Sequence, residues 1–379
     1  MKLMRKTKLS VVLLGTAVAF SLSIKAQQTT EELINLLIQK QVISQTDADS
    51  LRAENALKAQ ADKEKQSKFQ LFTGKPVNLS GYTQVRFISQ QEAFKPDYLD
   101  IRRARLDFKA QISEHFDSRL QVEFAGTPKI LDAILNFKYR DWLKFSAGQF
   151  YIPFSAENTT SDNKLELNDR SQVVNALAGR DKDVIGNQNG RDLGIQASGS
   201  IVRINDRFLA DYYIGGFNGA GINTADNNES KDLSGRIVLH PLKNFDIGGS
   251  YYNGYDIWGT SAKEHVRKRN GAELSYTYAF ATIKGEYIQG LDAGVEKSGW
   301  YAQLSTFIYK KNIQLVAKYD TYDSNTDPEK KYDSSINYVF GVNLYLNNWS
   351  KLQINYINRA EEGKQINNDV IAAQIQLSF

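Results

Sequence analysis

The sequence predicts an all-β protein: a sixteen-stranded antiparallel transmembrane β-barrel with a short helical segment ahead of it. Three observations carry that prediction. From residue 76 onward apolar and polar side chains alternate with a period of two, the segments that do so number sixteen, and the first 26 residues have the make-up of an export signal. A helical membrane bundle is excluded, because no apolar run of about twenty residues occurs outside the first thirty positions of the 379.

At the start of the chain Lys2, Arg5, Lys6 and Lys8 precede the apolar stretch Leu9 to Leu22, and Ala26 before Gln27 supplies the small residue of a cleavage site. Residues 1–26 are therefore expected to be removed on export. Thr29-Thr30-Glu31-Glu32 then forms a T-x-x-E capping box ahead of Leu33, Ile34, Leu36, Leu37 and Ile38, and Ser44 with Asp47 opens a second helical stretch to about Lys65. Residues 27–75 read as a helical periplasmic segment and linker, either a small oligomerisation element or a loosely ordered leader.

The barrel is assigned to residues 76–379. Ile371, Ala373, Ile375, Leu377 and Phe379 fall on one face of the last strand, with Ala372, Gln374, Gln376 and Ser378 on the other. Ala104, Leu106, Phe108 and Ala110 alternate in the same way with Arg103, Arg105, Asp107 and Lys109, as do Tyr338, Phe340, Val342, Leu344 and Leu346 with their neighbours. One face suits lipid and the other water. Such segments fall at 77–90, 98–112, 117–126, 130–140, 142–151, 190–202, 206–217, 231–240, 243–256, 267–278, 280–290, 297–309, 312–323, 334–347, 349–360 and 368–379.

The connections alternate as well, apart from the brief one from Thr127 to Lys129. Short ones such as Arg203 to Asn205, Pro241-Leu242, Lys310-Lys311 and Asn348 take turns with longer polar ones such as 91–97, 152–189, 218–230 and 324–333, as in a meander with tight turns at one rim. All six prolines lie at strand edges or in connections, where no ladder hydrogen bond is lost. A soluble sandwich also alternates. The export signal, the terminal Phe379, and Trp142, Trp258, Trp300 and Trp349 near strand ends favour the membrane, where a closed barrel is the one sheet that pairs every backbone group.

Composition narrows the chemistry. There is no Cys and there are three His, so thiolate sites, metal centres and acid–base catalysis are poorly provisioned, and no cofactor or metal is expected. His115, His240 and His265 fall in turns or an outer loop, away from any mid-strand nucleophile, and no G-x-S-x-G occurs, so an enzyme is not expected. The formal charge of +4 contains +5 from the leader, which leaves about −1 for the rest and gives no reason to expect a nucleic-acid partner. The polar loop Asn223 to Glu229 could hold calcium, although its composition is that of an ordinary solvated loop.

At residues 148–157 the chain reads Gly-Gln-Phe-Tyr-Ile-Pro-Phe-Ser-Ala-Glu. Asn168-Asp169-Arg170-Ser171, Gly190-Arg191-Asp192-Leu193-Gly194, Gly215-Gly216-Phe217-Asn218-Gly219 and Lys231-Asp232-Leu233-Ser234-Gly235-Arg236 follow, and then Pro241. In order and spacing this succession resembles the phosphate-selective porin O and P family of Gram-negative outer membranes, from about residue 77 to the end. The resemblance implies a barrel of sixteen strands, usually trimeric, with a long third loop folded inward, that passes phosphate or other small anions passively.

Parity then nominates the lumen lining. With Leu79, Val85, Phe87, Ala104, Leu106, Phe108, Leu120 and Val122 towards lipid, a basic stripe of Arg86, Arg103, Arg105, Lys109 and Arg119 faces the water, with Arg86 expected close to Arg103. Arg236 has the same parity on its strand, and Arg170 is the candidate from the long 152–189 connection, whose other basic residues are outnumbered by acids. Guanidinium groups stay charged and bind oxyanions bidentately, so such a stripe offers an anion several weak sites in succession. Asp107 and Glu123 share this face, and residues 76–379 carry 35 basic and 36 acidic side chains, so a general diffusion pore with paired arginines is the alternative, followed by a non-conducting structural or adhesive barrel. Arg102 has lipid-side parity near the outer rim, where a lipopolysaccharide phosphate could meet it or the side chain could simply snorkel.

Overall fold

Alternating strands of this kind can satisfy their backbone groups in hydrocarbon only by closing on one another. The computed structural model describes residues 69–379 apart from 72–74, 93–94, 260–262, 310, 331–333 and 362–365, and before residue 69 only Lys40. The expected leader and the helices expected between residues 29 and 65 lie outside the described residues. Strand β1 is Phe69–Leu71, followed by β2 (Lys75–Gln90), β3 (Tyr98–Gln111), β4 (Phe116–Glu123), β5 (Lys129–Arg140), β6 (Leu143–Tyr151), β7 (Arg191–Ile204), β8 (Arg207–Phe217) and β9 (Asp232–Leu242). Next come β10 (Phe245–Ile257), β11 (Glu264–Tyr278), β12 (Ala281–Asp292), β13 (Val295–Tyr309), β14 (Ile313–Asp323), β15 (Ser334–Asn347), β16 (Ser350–Glu361) and β17 (Val370–Ser378).

From β2 to β17 each strand pairs antiparallel with the next, and β17 returns to β2 with Ile375 opposite Val85. The result is a closed antiparallel barrel of sixteen strands. β1, which no periodicity announced, pairs with Lys75 to Val77, the part of β2 that extends beyond the β17 pairing. The expected strand limits hold to within three residues. The widest differences are at the end of β4 and the start of β11, and β12 and β13 also run further than expected and meet in a two-residue turn, Ala293-Gly294, with φ of 50° and 90°. Two positive φ values in succession are the geometry that matches hairpin twist.

Polarity is inverted relative to a soluble protein. Leu135, Phe340, Ile354 and Ile375 are exposed on the outer wall, while Gln84, Gln353, Gln374 and Asn355 are buried on the inner one. At one place parity misleads. Gln84 lies opposite Arg103 but Val85 lies opposite Ile101, so Arg102 is an extra residue in β3. A bulge of this kind re-aims a side chain. Arg102, expected to face lipid, turns inward and donates from Nη2 to Asp169 Oδ1 at 2.6 Å. The same shift puts Asp100 rather than Ile101 across from Arg86, and Arg103, expected close to Arg86, lies opposite Gln84.

Between β6 and β7 the chain enters the lumen. Ser155 and Ser171 cap two short helices, α1 (Ala156–Thr159) and α2 (Gln172–Leu177), by accepting from Asn158 N and Val174 N, and a 3-10 turn spans Asp162–Lys164 between them. Val173, Val174 and Leu177 pack with Ile152 and Phe154 against Phe150, Phe217, Tyr252, Ile288 and Tyr301 of the wall. This apolar core sits inside the barrel. It holds the loop against the wall by ordinary burial.

The membrane assignment of the outer face is testable with Ile354→Arg in the middle of β16. Folding into lipid vesicles, followed by urea titration, is expected to show a loss of about 2–4 kcal/mol, the cost of a guanidinium at mid-bilayer. An unchanged titration would place that face in water.

Candidate functional site

The inward loop is tied to the wall on two sides. Opposite β3, Glu166 accepts from Gln303 Nε2 (2.6 Å), Ser305 Oγ (2.7 Å) and Gln314 Nε2 (2.8 Å), and pairs with Lys284 at 2.9 Å. Lys351 Nζ donates to Leu165 O at 2.9 Å, Asn168 N to Asn355 Oδ1 at 2.7 Å, and Gln172 N to Asp320 at 2.9 Å. On the β3 side a single carboxylate does most of the holding. Asp162 meets Arg105 Nη1 at 2.5 Å, Arg103 Nη2 at 3.2 Å and the guanidinium of Arg170. Burial would raise the Asp162 carboxyl, but Arg103, Arg170 and Arg105 overcome it and hold the group well below the usual carboxylate range.

The expected stripe is present on the inner wall, and its arginines are in ion pairs. Arg86 pairs with Asp100 at 2.7 Å and approaches Asp169 at 3.6 Å. Arg105 has Glu123 at 2.7 Å as well as Asp162, and Arg119 lies between Asp107 (2.7 Å) and Asp132 (3.0 Å). Arg103 also donates to Gln84 at 2.8 Å, Arg170 reaches the Glu157 carbonyl at 3.0 Å, and Arg236 forks onto Glu273 with Nε at 3.1 Å. Lys109, exposed toward the short-turn rim, has no carboxylate within 4 Å among the described residues.

Above the loop, toward the long-loop rim, a cavity of about 530 Å3 opens. Arg86, Arg102 and Arg103 border it from β2 and β3, Arg170, Arg180 and Lys182 from the loop, and Lys318 and Arg359 from β14 and β16. Against these eight cations stand three carboxylates, Asp169, Asp181 and Asp320. Below the loop, a cavity of about 210 Å3 has the opposite balance, with Arg236 and Lys284 against Glu157, Asp246, Glu273 and Glu286. The lumen is thus divided by the loop into a basic outer chamber and an acidic inner one.

An antiparallel barrel with a loop folded across its lumen narrows the field of families. Residues 78–253 match the phosphate-selective porin O and P family. Among solved structures, the barrel is similar to the anion-selective porin from Comamonas acidovorans, with a TM-score of 0.59 and 13% identity over 80% of this chain and 100% of that one. It is also similar to the outer membrane channel DcaP of Acinetobacter baumannii (TM-score 0.59, 12% identity, 82% and 99% covered) and to the trimer form of the outer membrane protein OmpT of Vibrio cholerae (0.57, 12%, 80% and 99%). At such identities the likeness is one of fold. No curated protein sequence matches the chain.

Several residues that shape the lumen carry signals weaker than those of the strands. Lys318 alternates with Leu315, Ala317 and Tyr319, so parity could have found it. Arg180 and Lys182 were set aside because acids outnumber bases in their segment, yet Glu157, Asp162, Glu166, Asp169 and Asp183 are engaged with backbone amides or with cations elsewhere. Asp162 itself had no signal in the sequence, because its three arginines come from two other places along the chain.

Asp162→Asn should release the β3 side of the loop. Breaking one partner out of a buried ion cluster costs about 3–5 kcal/mol, and here the cost falls on loop docking because the barrel has its own ladder. The expected readout is faster proteolysis between residues 155 and 170 and noisier single-channel current, with the barrel still heat-modifiable on gels. A depressed carboxyl contributes fully above its unfolded pKa and loses its effect only as pH falls through the folded value. The wild-type current should therefore stay quiet from neutral pH through the ordinary carboxylate range near about pH 4, and take on the noise of the variant only as pH falls well below it.

Proposed function

We propose that this chain is a channel of the Gram-negative outer membrane, passing small anions, phosphate among them, passively through a water-filled lumen. The single observation that carries anion preference is the excess of base in the outer chamber, eight cations to three carboxylates around one cavity. A low-dielectric chamber of one sign concentrates the opposite ion, and conduction needs sites weak enough to leave. The family description as phosphate-selective, and the description of the Comamonas acidovorans neighbour as anion-selective, support the same reading. The trimer form of OmpT supports a homotrimer. Residues 1–26 serve in this reading as the export signal and residues 27–75 as a periplasmic helical segment.

A second reading has its own support. Six of the seven basic residues nominated from the sequence are compensated by carboxylates, as in a general diffusion pore whose charges shape a transverse field. Reversal potential in planar bilayers under a KCl gradient separates the two. An anion-signed potential, with chloride current reduced as phosphate is added, is expected. A potential near zero or of cation sign, unaffected by phosphate, would leave a diffusion porin and reject the anion preference.

A further inference from the structure

The basic residues of the outer chamber differ in how far they are already neutralised, and this difference deepens the anion-channel reading, on which it rests. Arg86, Arg102, Arg103 and Arg170 all have carboxylate partners at 3.2 Å or closer. Arg180 has none among the described residues. Its Nε donates to Asn158 Oδ1 at 2.6 Å and its Nη2 to the Asn158 carbonyl at 2.8 Å, both neutral acceptors. Lys182 and Arg359 likewise have no carboxylate within 4 Å among the described residues, and Lys318 has Asp320 only at 4.0 Å. Burial and the neighbouring Arg170 lower the Arg180 guanidinium to about 9, which leaves it protonated at neutral pH.

Most of the remaining polar lining is amide. Seven carboxamide side chains border the chamber. Asn337 makes no side-chain hydrogen bond among the described residues, while Asn355, buried to 1% exposure, and Asn189 each hold an Nδ2 that is enclosed without a partner. A buried amide donor left open costs free energy unless something in the chamber accepts from it. Carboxamides both donate and accept, which suits hydroxyl groups. A chamber of about 530 Å3 also has the size of a small-molecule site.

We propose that the outer chamber is a binding site for a hydroxylated organic anion, such as a sugar acid or sugar phosphate, whose charge is held by Arg180, Lys182, Lys318 and Arg359 and whose hydroxyls meet Asn189, Asn337 and Asn355. The arginines of the β2–β3 wall are then structural. They hold the loop and the wall together through their carboxylates, and the cations left over do the recognition.

The test is blockade of KCl current through the full-length channel in planar bilayers at neutral pH, with D-glucuronate, acetate, glucose and inorganic phosphate as probes. Glucuronate is expected to half-block at a concentration at least about tenfold below acetate, which has the same charge and no hydroxyls, and glucose alone is expected to have no effect. The triple variant Arg180→Gln/Lys318→Gln/Arg359→Gln should raise the glucuronate value by about tenfold or more, since each charge-assisted hydrogen bond carries at least that much. Asn337→Leu should weaken glucuronate and leave acetate unaltered, which separates hydroxyl recognition from charge. Retained heat-modifiability on gels shows that each variant has folded. Equal block by glucuronate and acetate, or a triple variant that blocks like the parent, would overturn the site while an anion-signed reversal potential kept the channel reading intact. A cation-signed potential in the unmodified protein would remove both.

Discussion

Hydrocarbon cannot hydrogen-bond, and the rest of this structure follows from that constraint. Each backbone donor and acceptor in the span must find a partner within the chain, so the sheet closes from β17 to β2 and apolar side chains are relegated to the outside. Polar residues accumulate in the lumen, where side chains that would be solvated on a soluble protein are enclosed by other side chains. Arg105, Asp132, Arg191, Arg267 and Arg269 are all buried to 4% exposure or less. Buried charge is costly unless paired, which makes the interior a problem in electrostatic compensation as well as a conduit.

The inward loop provides part of that compensation. Its helices are too short to be stable on their own, and their apolar residues need Phe150, Phe217, Tyr252 and Ile288 to pack against. Its carboxylates answer wall cations that strand pairing alone does not satisfy: Asp162 for Arg103 and Arg105, Asp169 for Arg86 and Arg102, Asp183 for Arg267, and Glu166 for Lys284. The loop and the wall are therefore mutually dependent. Removing the loop would leave Arg102, Arg103 and Lys284 without a carboxylate among the described residues, and removing the wall cations would leave Asp162, Asp169 and Glu166 short of partners.

How much of this the sequence disclosed can be traced to range. Strand number, strand limits and lipid face came from a period of two, which is a local property, and Ile371 to Phe379 or Tyr338 to Leu346 displayed it without help from the rest of the chain. Family resemblance came from motifs near residues 148–157 and 190–194, also local. What remained hidden was set by one inserted residue or by partners distant in sequence. No pattern marks Arg102 as the bulged residue of β3, and the shift by one position changed both its own direction and the partner of Arg86. Counting acids and bases within 152–189 gave the wrong sign for the chamber, because a segment's charge says nothing about which of its groups are engaged by others.

The same reasoning explains how a chain with 35 basic and 36 acidic residues from 76 onward can still present a basic chamber. Overall neutrality constrains the sum, whereas a permeating ion responds to charge within roughly a Debye length, about 8 Å at physiological ionic strength. Acids are concentrated where they pair, in the wall and in the inner cavity around Glu157, Glu273 and Glu286, and the outer chamber keeps cations that have no carboxylate of their own. An anion entering from the long-loop side meets those cations first, then the ion-paired band at Asp162, and then a chamber lined mainly by carboxylates. A cation approaching from the short-turn side meets the reverse order. The fold thereby places opposite local charge at the two ends of the lumen.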